Sequence, residues 1–177
     1  GYYNPWYSNP YWTAANYRQT NRNDYLTANV EVKFTPVKGL DFVFRQGIAS
    51  RNQSNKNSNT GFTYTEYAKN TDASSKSDIP YSVSDGMFFS TNLLTDFFTQ
   101  YKRSIKDFSL NILIGGQWNQ NQSKSIGVSG NGLVVPDLFN VSNGVGTPGA
   151  SESNAMSRSM GSYAKTTFGY KNYLYLT

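Results

Sequence analysis

Three carboxylates could take part in acid–base chemistry in this sequence: Glu31, Asp41 and Asp96. Two carboxylates placed on either side of a glycosidic bond can hydrolyse it. The chain has no His and no Cys, so the commonest general base, the thiol nucleophile and the usual transition-metal ligands are all missing. No oxyanion site or metal cluster accompanies the carboxylates, which are more typical of a wetted polar surface. We therefore expect no enzyme activity, no catalytic residue, no bound metal and no cofactor.

The carboxylates lie in segments whose hydrophobicity alternates with period two. From Leu26 to Phe34 the even positions are apolar and the odd positions are mostly polar, as expected of a strand with two different faces. Residues 35–39 contain Pro and Gly and predict a tight turn. The pattern then resumes with Leu40, Phe42, Phe44 and Ile48 on one face and Asp41, Arg45 and Arg51 on the other. Residues 22–51 are therefore predicted to form a hairpin.

Two more hairpins are predicted, over residues 89–120 and 160–177. The clearest strand runs from Phe108 to Trp118, where apolar residues alternate with Ser, Asn, Gly and Gln, interrupted by Leu113. Eleven strand residues tilted near 45° cover the apolar band of about 25 Å of an outer membrane. No run of apolar residues approaches the length that a transmembrane helix needs.

Long polar connections alternate with these short turns. Three loops are predicted: residues 1–21, which are rich in aromatic residues, residues 52–88, which are rich in Asn, Ser, Thr, Lys and Asp, and residues 121–159, which are rich in Gly, Ser and Asn. Alternation of tight turns with large loops is typical of outer-membrane barrels, and loops of this size are unusual in a compact soluble domain. The sequence predicts an all-β fold: an antiparallel transmembrane β-barrel segment of about six strands from a larger barrel, with two long extracellular loops.

Two sets of residues are candidates for function. In a barrel, the polar face of each strand lines the lumen, and aromatic side chains on loops can contact a ligand or a partner protein. Packing of the loops on one another is the alternative explanation for the aromatic residues. The predicted lumen-facing residues are Glu31, Lys33, Asp41, Arg45, Asp96, Asn111 and Gln117, and the predicted contact residues are Trp6, Tyr7, Tyr11, Trp12, Tyr64 and Tyr67.

The net charge of +5 comes from 16 basic and 11 acidic residues. The basic residues are scattered along the chain and form no stripe, so we expect no nucleic-acid partner.

Several segments resemble the SusC/RagA-like TonB-dependent outer-membrane transporters. Residues 9–12 (NPYW) and 21–24 (NRND) precede the first strand, and residues 135–143 (VPDLFNVSN) lie in the second long loop. Residues 168–176 (FGYKNYLYL) are similar to a barrel hairpin of that family and carry the most specific match.

This resemblance implies a 22-stranded barrel that is closed by an amino-terminal plug and capped by a SusD-like surface lipoprotein. The implied partners are that lipoprotein, the TonB complex, the remainder of the same barrel, and lipid or lipopolysaccharide of the bacterial outer membrane. The implied cargo is an oligosaccharide or an oligopeptide.

The sequence covers only part of such a protein. It shows no plug-like segment and no TonB-box-like stretch, and it starts within a predicted loop and stops within a predicted strand. Six strands cannot close so wide a barrel, and open edges in lipid leave backbone groups unsatisfied at several kcal/mol each. We expect the chain to be part of a longer protein.

Two alternatives share the same alternating pattern. The first is a passive porin or adhesin barrel, with a diffusion or structural role. The second is a soluble β-sandwich that binds glycans, in which a second sheet would cover the apolar face. The barrel and the sandwich differ in what covers the apolar face, which is hydrocarbon in a barrel and a second sheet in a soluble sandwich.

Overall fold

The computed structural model describes residues 9–71, 76–171 and 173–177 and is almost entirely β-structure. Six antiparallel strands form one sheet in the order β1-β2-β3-β4-β5-β6. This sheet confirms the predicted fold class, an all-β, antiparallel barrel segment of about six strands. The strands are β1 (Tyr17–Val37), β2 (Leu40–Asn59), β3 (Ser82–Ile105), β4 (Phe108–Asn131), β5 (Gly149–Tyr170) and β6 (Leu174–Leu176).

Three short elements complete the described part of the chain. Helix α1 (Pro10–Asn16) starts at the cap Asn9, whose side chain accepts a hydrogen bond from the backbone N–H of Tyr11. Pro10 suits the first helical turn because its missing N–H would have no partner there. Helix α2 (Glu66–Thr71) and a 3₁₀ turn (Val141–Asn143) lie in the two long connections.

The strands are longer than the sequence pattern predicts. Residues 52–59 and 82–88 continue β2 and β3, and residues 121–131 and 149–159 continue β4 and β5. The predicted loops 52–88 and 121–159 therefore shrink to 60–81 and 132–148, and the predicted loop 1–21 contains α1 and the start of β1. The added strand residues are mostly polar on both faces, so they carry no alternation from which a strand could be recognised.

The chain divides into two compact units. The short-turn unit comprises residues 25–51, 90–123 and 155–177, and the long-loop unit comprises residues 1–24, 52–89 and 124–154.

Very few apolar side chains are buried. Among the described residues the buried hydrophobic ones are Val43, in the short-turn unit, and Val83 and Leu133, in the long-loop unit. A two-layer sandwich would bury a full row of side chains from each strand. None of the described helices is long and apolar enough to span a membrane.

Candidate functional site

The polar face of the short-turn unit begins beside the β1–β2 turn. Asp41 accepts a hydrogen bond from the Thr35 hydroxyl at 2.6 Å and pairs with the Lys33 ammonium at 3.0 Å. Arg45 pairs with Glu31 in the same way. Side chains that bond across neighbouring strands lie on the same face of the sheet. The structure therefore brings together four of the predicted polar-face residues: Glu31, Lys33, Asp41 and Arg45.

Apolar side chains such as Leu94 and Phe98 also lie on this face. The Arg45 guanidinium sits 5.0 Å from the centre of the Phe98 ring, within the range of a cation–π contact. At Gly47, a Cβ would lie 2.9 Å from the Asn29 side-chain oxygen and 3.7 Å from the Leu94 Cβ. Phe98 and Leu94 interrupt the alternation in β3. Phe98 lies under the Arg45 guanidinium, and Leu94 lies next to Gly47.

Gly115 makes room for two large aromatic side chains on the same face. A Cβ at this position would lie 2.6 Å from the Phe98 Cβ and 2.7 Å from the Tyr163 hydroxyl. The alternation in β4 already predicted Gly115 on this face, but sequence reasoning missed Tyr163 and its close approach to Gly115. A glycine within a strand is a sign of close approach by another group, and that was the available signal.

Amide side chains continue the polar face across β3 and β4. The Gln100 amide donates to the Asn111 side-chain oxygen at 3.0 Å. The Asn92 amide donates to the side-chain oxygens of Asn119 at 3.1 Å and Asn121 at 2.5 Å. By strand alternation the predicted residues Asp96 and Gln117 share this face, Asp96 partly buried and Gln117 exposed.

The opposite face of the short-turn unit is apolar and uncovered. Val30 is 60% exposed, Phe44 is 40% exposed and Ile114 is 56% exposed. The other large exposed side chains of this face include Leu26, Val32, Phe34, Phe97, Ile105, Phe108 and Trp118. No second layer of the described residues covers them, which is the opposite of what a soluble sandwich requires.

Aromatic rings cluster on this apolar face near the β3–β4 and β5–β6 turns. The Phe108 ring lies 5.6 Å from that of Phe168 and 5.0 Å from that of Tyr170. The Tyr173 ring in turn meets Tyr170 at 5.9 Å. Amphipathic rings at strand ends suit the headgroup level of a membrane.

In the long-loop unit, a second aromatic group joins α1 to the first long connection. The rings of Trp12 and Phe62 meet edge to face at 5.8 Å, and those of Phe62 and Tyr64 meet at 4.8 Å. The structure thus links the predicted contact residues Trp12 and Tyr64 through Phe62, which sequence reasoning did not select. Tyr11 and Tyr67 are 86% and 77% exposed, whereas Trp6 and Tyr7 lie outside the described residues.

An ion-pair network fixes the connection next to Tyr64. The Asp78 carboxylate accepts hydrogen bonds from the Lys69 ammonium at 2.9 Å and from the Tyr64 backbone N–H at 2.8 Å. These bonds, that from Lys69 first, lower the pKa of Asp78 below its usual value. The hydrogen bonds that the Lys69 ammonium donates to Asp78 and, second, to Glu66 raise the pKa of Lys69. Both charges are therefore favoured near neutral pH.

The second long connection is held by the side chain of Asn143. Its amide donates to the carbonyl oxygens of Val135 and Leu138, and its oxygen accepts from the Val135 N–H. This arrangement leaves apolar side chains at the surface. Val134, Val135, Leu138 and Val145 are all at least half exposed.

No group of three or more acidic side chains within the described ranges is arranged to hold a metal ion. Each unit therefore has its own candidate functional surface: the polar face in the short-turn unit, and the aromatic group around Phe62 in the long-loop unit.

A sheet with one polar face, one bare apolar face and alternating turns defines the class: part of the wall of an antiparallel β-barrel. Solved transporter structures have the same fold. The chain aligns with a structure of the RagAB peptide transporter at a TM-score of 0.77 and 17% identity. Structures of the RagAB peptide importer in the open-open and closed-closed states give TM-scores of 0.78 and 0.77, also at 17% identity.

Each of these alignments covers 94% of this chain and 18% of the transporter chain. The chain therefore spans less than a fifth of the proteins that it matches, and the likeness establishes the fold of the segment. No family model matches the sequence, and no curated protein matches it.

Proposed function

We propose that this chain is part of the barrel wall of a TonB-dependent outer-membrane importer for oligopeptides or oligosaccharides. One observation carries the proposal: the short-turn unit is a single sheet layer that is apolar and bare on one face and polar on the other. Hydrocarbon on the first face and water on the second would satisfy both sets of side chains.

Exposure of the apolar face supports a lipid environment over contact with water. Val30, Phe44 and Ile114 are 40 to 60% exposed, and contiguous apolar surface of this kind is rare in soluble proteins. Their strands pair through the backbone along the sheet, as a membrane-spanning β-structure requires. The strands that complete the barrel would come from the rest of the same protein.

The polar face supplies what a hydrated transport path needs. Glu31 with Arg45 and Lys33 with Asp41 place both signs of charge there, and Asn111 and Gln117 add neutral amides. In this proposal these residues line the lumen, and they have no catalytic role.

In this proposal the long connections form the extracellular surface of the importer. Tyr11 and Tyr67 are exposed, and Trp12 and Tyr64 each pack against Phe62. Aromatic side chains of this kind are suited to contact with cargo or with a surface lipoprotein of the SusD type. Similarity to the RagAB peptide importer supports import as the direction of transport. Energy would come from the TonB complex through a plug in the remainder of the protein.

The full-length protein in its native bacterium provides the test. Cells that carry or lack the gene are fractionated, and uptake of a labelled hexapeptide and of maltohexaose is measured with and without a protonophore. The proposal predicts the protein in the outer-membrane fraction, and uptake of at least one cargo that stops when the protonophore collapses the proton gradient.

The alternatives give different results. Uptake that depends on the gene but is unaffected by the protonophore would indicate a passive porin. Recovery of the protein in the aqueous fraction without detergent would contradict the barrel and favour a soluble sandwich.

A further inference from the structure

An open groove of about 430 Å³ crosses the short-turn unit from β1 to β5. Tyr25 and Thr27 of β1 line it, whereas Leu26 between them does not. Since neighbouring side chains of a strand point to opposite faces, the groove lies on the polar face. Most of the polar-face side chains that line it are small, whereas Arg45, Phe98 and Tyr163 fill another region of the same face.

The walls of the groove combine hydroxyl and amide groups. Asn92 and Asn121, joined by their hydrogen bond, lie near its middle, with Ser123 and Ser157 beside them. Its remaining polar-face side chains, apart from those at the β1–β2 end, are Ala, Ser and Thr. Side-chain amides and hydroxyls both donate and accept hydrogen bonds.

The β1–β2 end of the groove has a different character. The Tyr25 ring is 70% exposed, and the Arg51 guanidinium lies 5.7 Å from its centre. Tyr25 is the single aromatic side chain among the described residues that line the groove. A glycan site usually offers several ring faces on which sugars stack, so one ring at one end fits a glycan poorly.

The dimensions fit an extended chain. Five strands at about 4.8 Å spacing make a groove of about 19 Å, and an extended peptide at about 3.3 Å per residue fills this length with about six residues. A peptide backbone presents one donor and one acceptor per residue along such a path. Neutral amides and hydroxyls would bind that backbone without selecting its side chains.

We propose that this groove is a cargo subsite that binds about six residues of extended peptide through its backbone. The inference rests on the proposed transport function and specifies peptide as the cargo class. The bound segment would lie across the strands, held by Asn92 and Asn121 at its middle and by Tyr25 at one end. Hydrogen bonds to neutral groups give weak binding that depends little on the peptide sequence. Weak binding suits a transporter, because the cargo must dissociate from the subsite to be transported.

The test uses the purified full-length protein in detergent and a fluorescein-labelled hexapeptide of Ala, Ser and Thr, with binding followed by fluorescence anisotropy. Ser123→Trp fills the groove. Met160→Trp adds the same side chain on the opposite face of the adjacent strand β5, at a residue that is 87% exposed and does not line the groove. We expect Kd to rise about tenfold for Ser123→Trp, equivalent to about 1.4 kcal/mol, and to stay within about twofold for Met160→Trp.

A second variant covers the case in which Ser123→Trp fails to assemble, as judged by heat-dependent mobility on gels. Asn92→Ala combined with Asn121→Ala removes the amides without adding volume, and we expect it to weaken peptide binding about fivefold. Equal binding by this double variant and the wild type would overturn the subsite. Weaker maltohexaose binding with unchanged peptide binding would overturn the peptide assignment.

Whole-cell uptake of the same hexapeptide separates the two proposals. Import by the wild type and equal import by all groove variants would contradict the subsite and leave the importer intact. A wild type that neither imports nor binds the peptide or maltohexaose would contradict the importer itself.

Discussion

The short-turn unit and the long-loop unit are built on the same five long strands but differ in what lies on their faces. In the short-turn unit one face is apolar and exposed, with Val30 and Ile114 both more than half exposed, while the other carries ion pairs such as Glu31 with Arg45. In the long-loop unit charged and polar side chains occupy both faces of the strands. Alternation of apolar and polar residues therefore reflects different surroundings on the two faces of a strand, and a strand with polar surroundings on both faces does not show it.

The connections differ in the same way. The turns of the short-turn unit are tight and bonded to their neighbours, as where the Lys102 N–H donates to the Gly39 carbonyl at 2.7 Å. The long-loop unit instead has its own small structures, such as the aromatic group around Phe62 and the turn fixed by Asn143. Tight turns suit a purely structural end, and large ordered loops suit recognition.

The largest expected effect comes from placing a charge on the apolar face. Ile114→Arg should destabilise the folded barrel by roughly 2–4 kcal/mol if the side chain meets hydrocarbon near the middle of the membrane. Unfolding in urea, followed by Trp fluorescence of the full-length protein in lipid vesicles, measures the change.

Ile126→Arg is the matched substitution in the long-loop unit. It lies on the same strand and the same face by alternation, and its environment is polar, so we expect a cost of about 0–1 kcal/mol. Gln117→Arg, on the polar face near Ile114, should be similarly mild. Equal losses at Ile114 and Ile126 would remove the distinction between the two units.

A glycine in each unit allows a second comparison. Gly39 has φ +88° and Gly146 has φ +84°, a region in which an L side chain is strained. A Cβ at Gly39 would also clash with the Lys102 carbonyl, whereas nothing lies within 4 Å of one at Gly146. We expect Gly39→Ala to cost about 3 kcal/mol and Gly146→Ala about 1 kcal/mol.

The same urea titration measures this difference. A larger loss at Gly146 than at Gly39 would show that close packing of the short turns contributes little to stability.

The smallest effect concerns pH and the first long connection. Asp78 has a lowered pKa, mainly because of Lys69 and then the Tyr64 N–H, so its contribution to loop stability is present above its unfolded pKa of about 3.9. That contribution is lost as the pH falls through the lower folded value. Hydrogen exchange at the Tyr64 amide, corrected for its intrinsic rate, should show protection at pH 7 that decreases below pH 4.

On the alkaline side, the stability of this connection depends on Lys69, whose pKa is raised by Asp78 and then Glu66. Its contribution is present below the unfolded pKa of about 10.4 and is lost as the pH rises through the higher folded value. Asp78→Asn is the control, and in this variant the protection of the Tyr64 amide should no longer decrease below pH 4. The same protection at pH 7 and pH 3 in the wild type would contradict this role of Asp78.

Sequence patterns predicted the short-turn unit well. The alternation from Leu26 to Phe34 and from Phe108 to Trp118 predicted both the strands and the sharing of one face, because hydrocarbon and water impose different side chains. Pro36 and Gly39 located the first turn, which the structure places at Lys38 and Gly39.

The long-loop unit was predicted poorly for a physical reason. Residues 52–59 (NQSNKNSN) form strand through backbone hydrogen bonds to their neighbours, and nothing in their side chains requires that pairing. The link from Trp12 to Tyr64 through Phe62 depends on a contact between distant segments, which periodicity does not record. The approach of Tyr163 to Gly115 on the polar face was missed for the same reason.

Spin labels along β4 test the central claim most directly. Single cysteines replace residues 108 to 118 in the full-length protein in lipid vesicles, after any native cysteines elsewhere are removed, and each nitroxide is exposed to oxygen or to a water-soluble nickel complex. We expect a period of two: labels at even positions such as Ile112 and Ile114 relax mainly with oxygen, and labels at odd positions such as Asn111 and Gln117 mainly with nickel. Equal access of nickel to both sets would contradict a lipid-facing apolar surface.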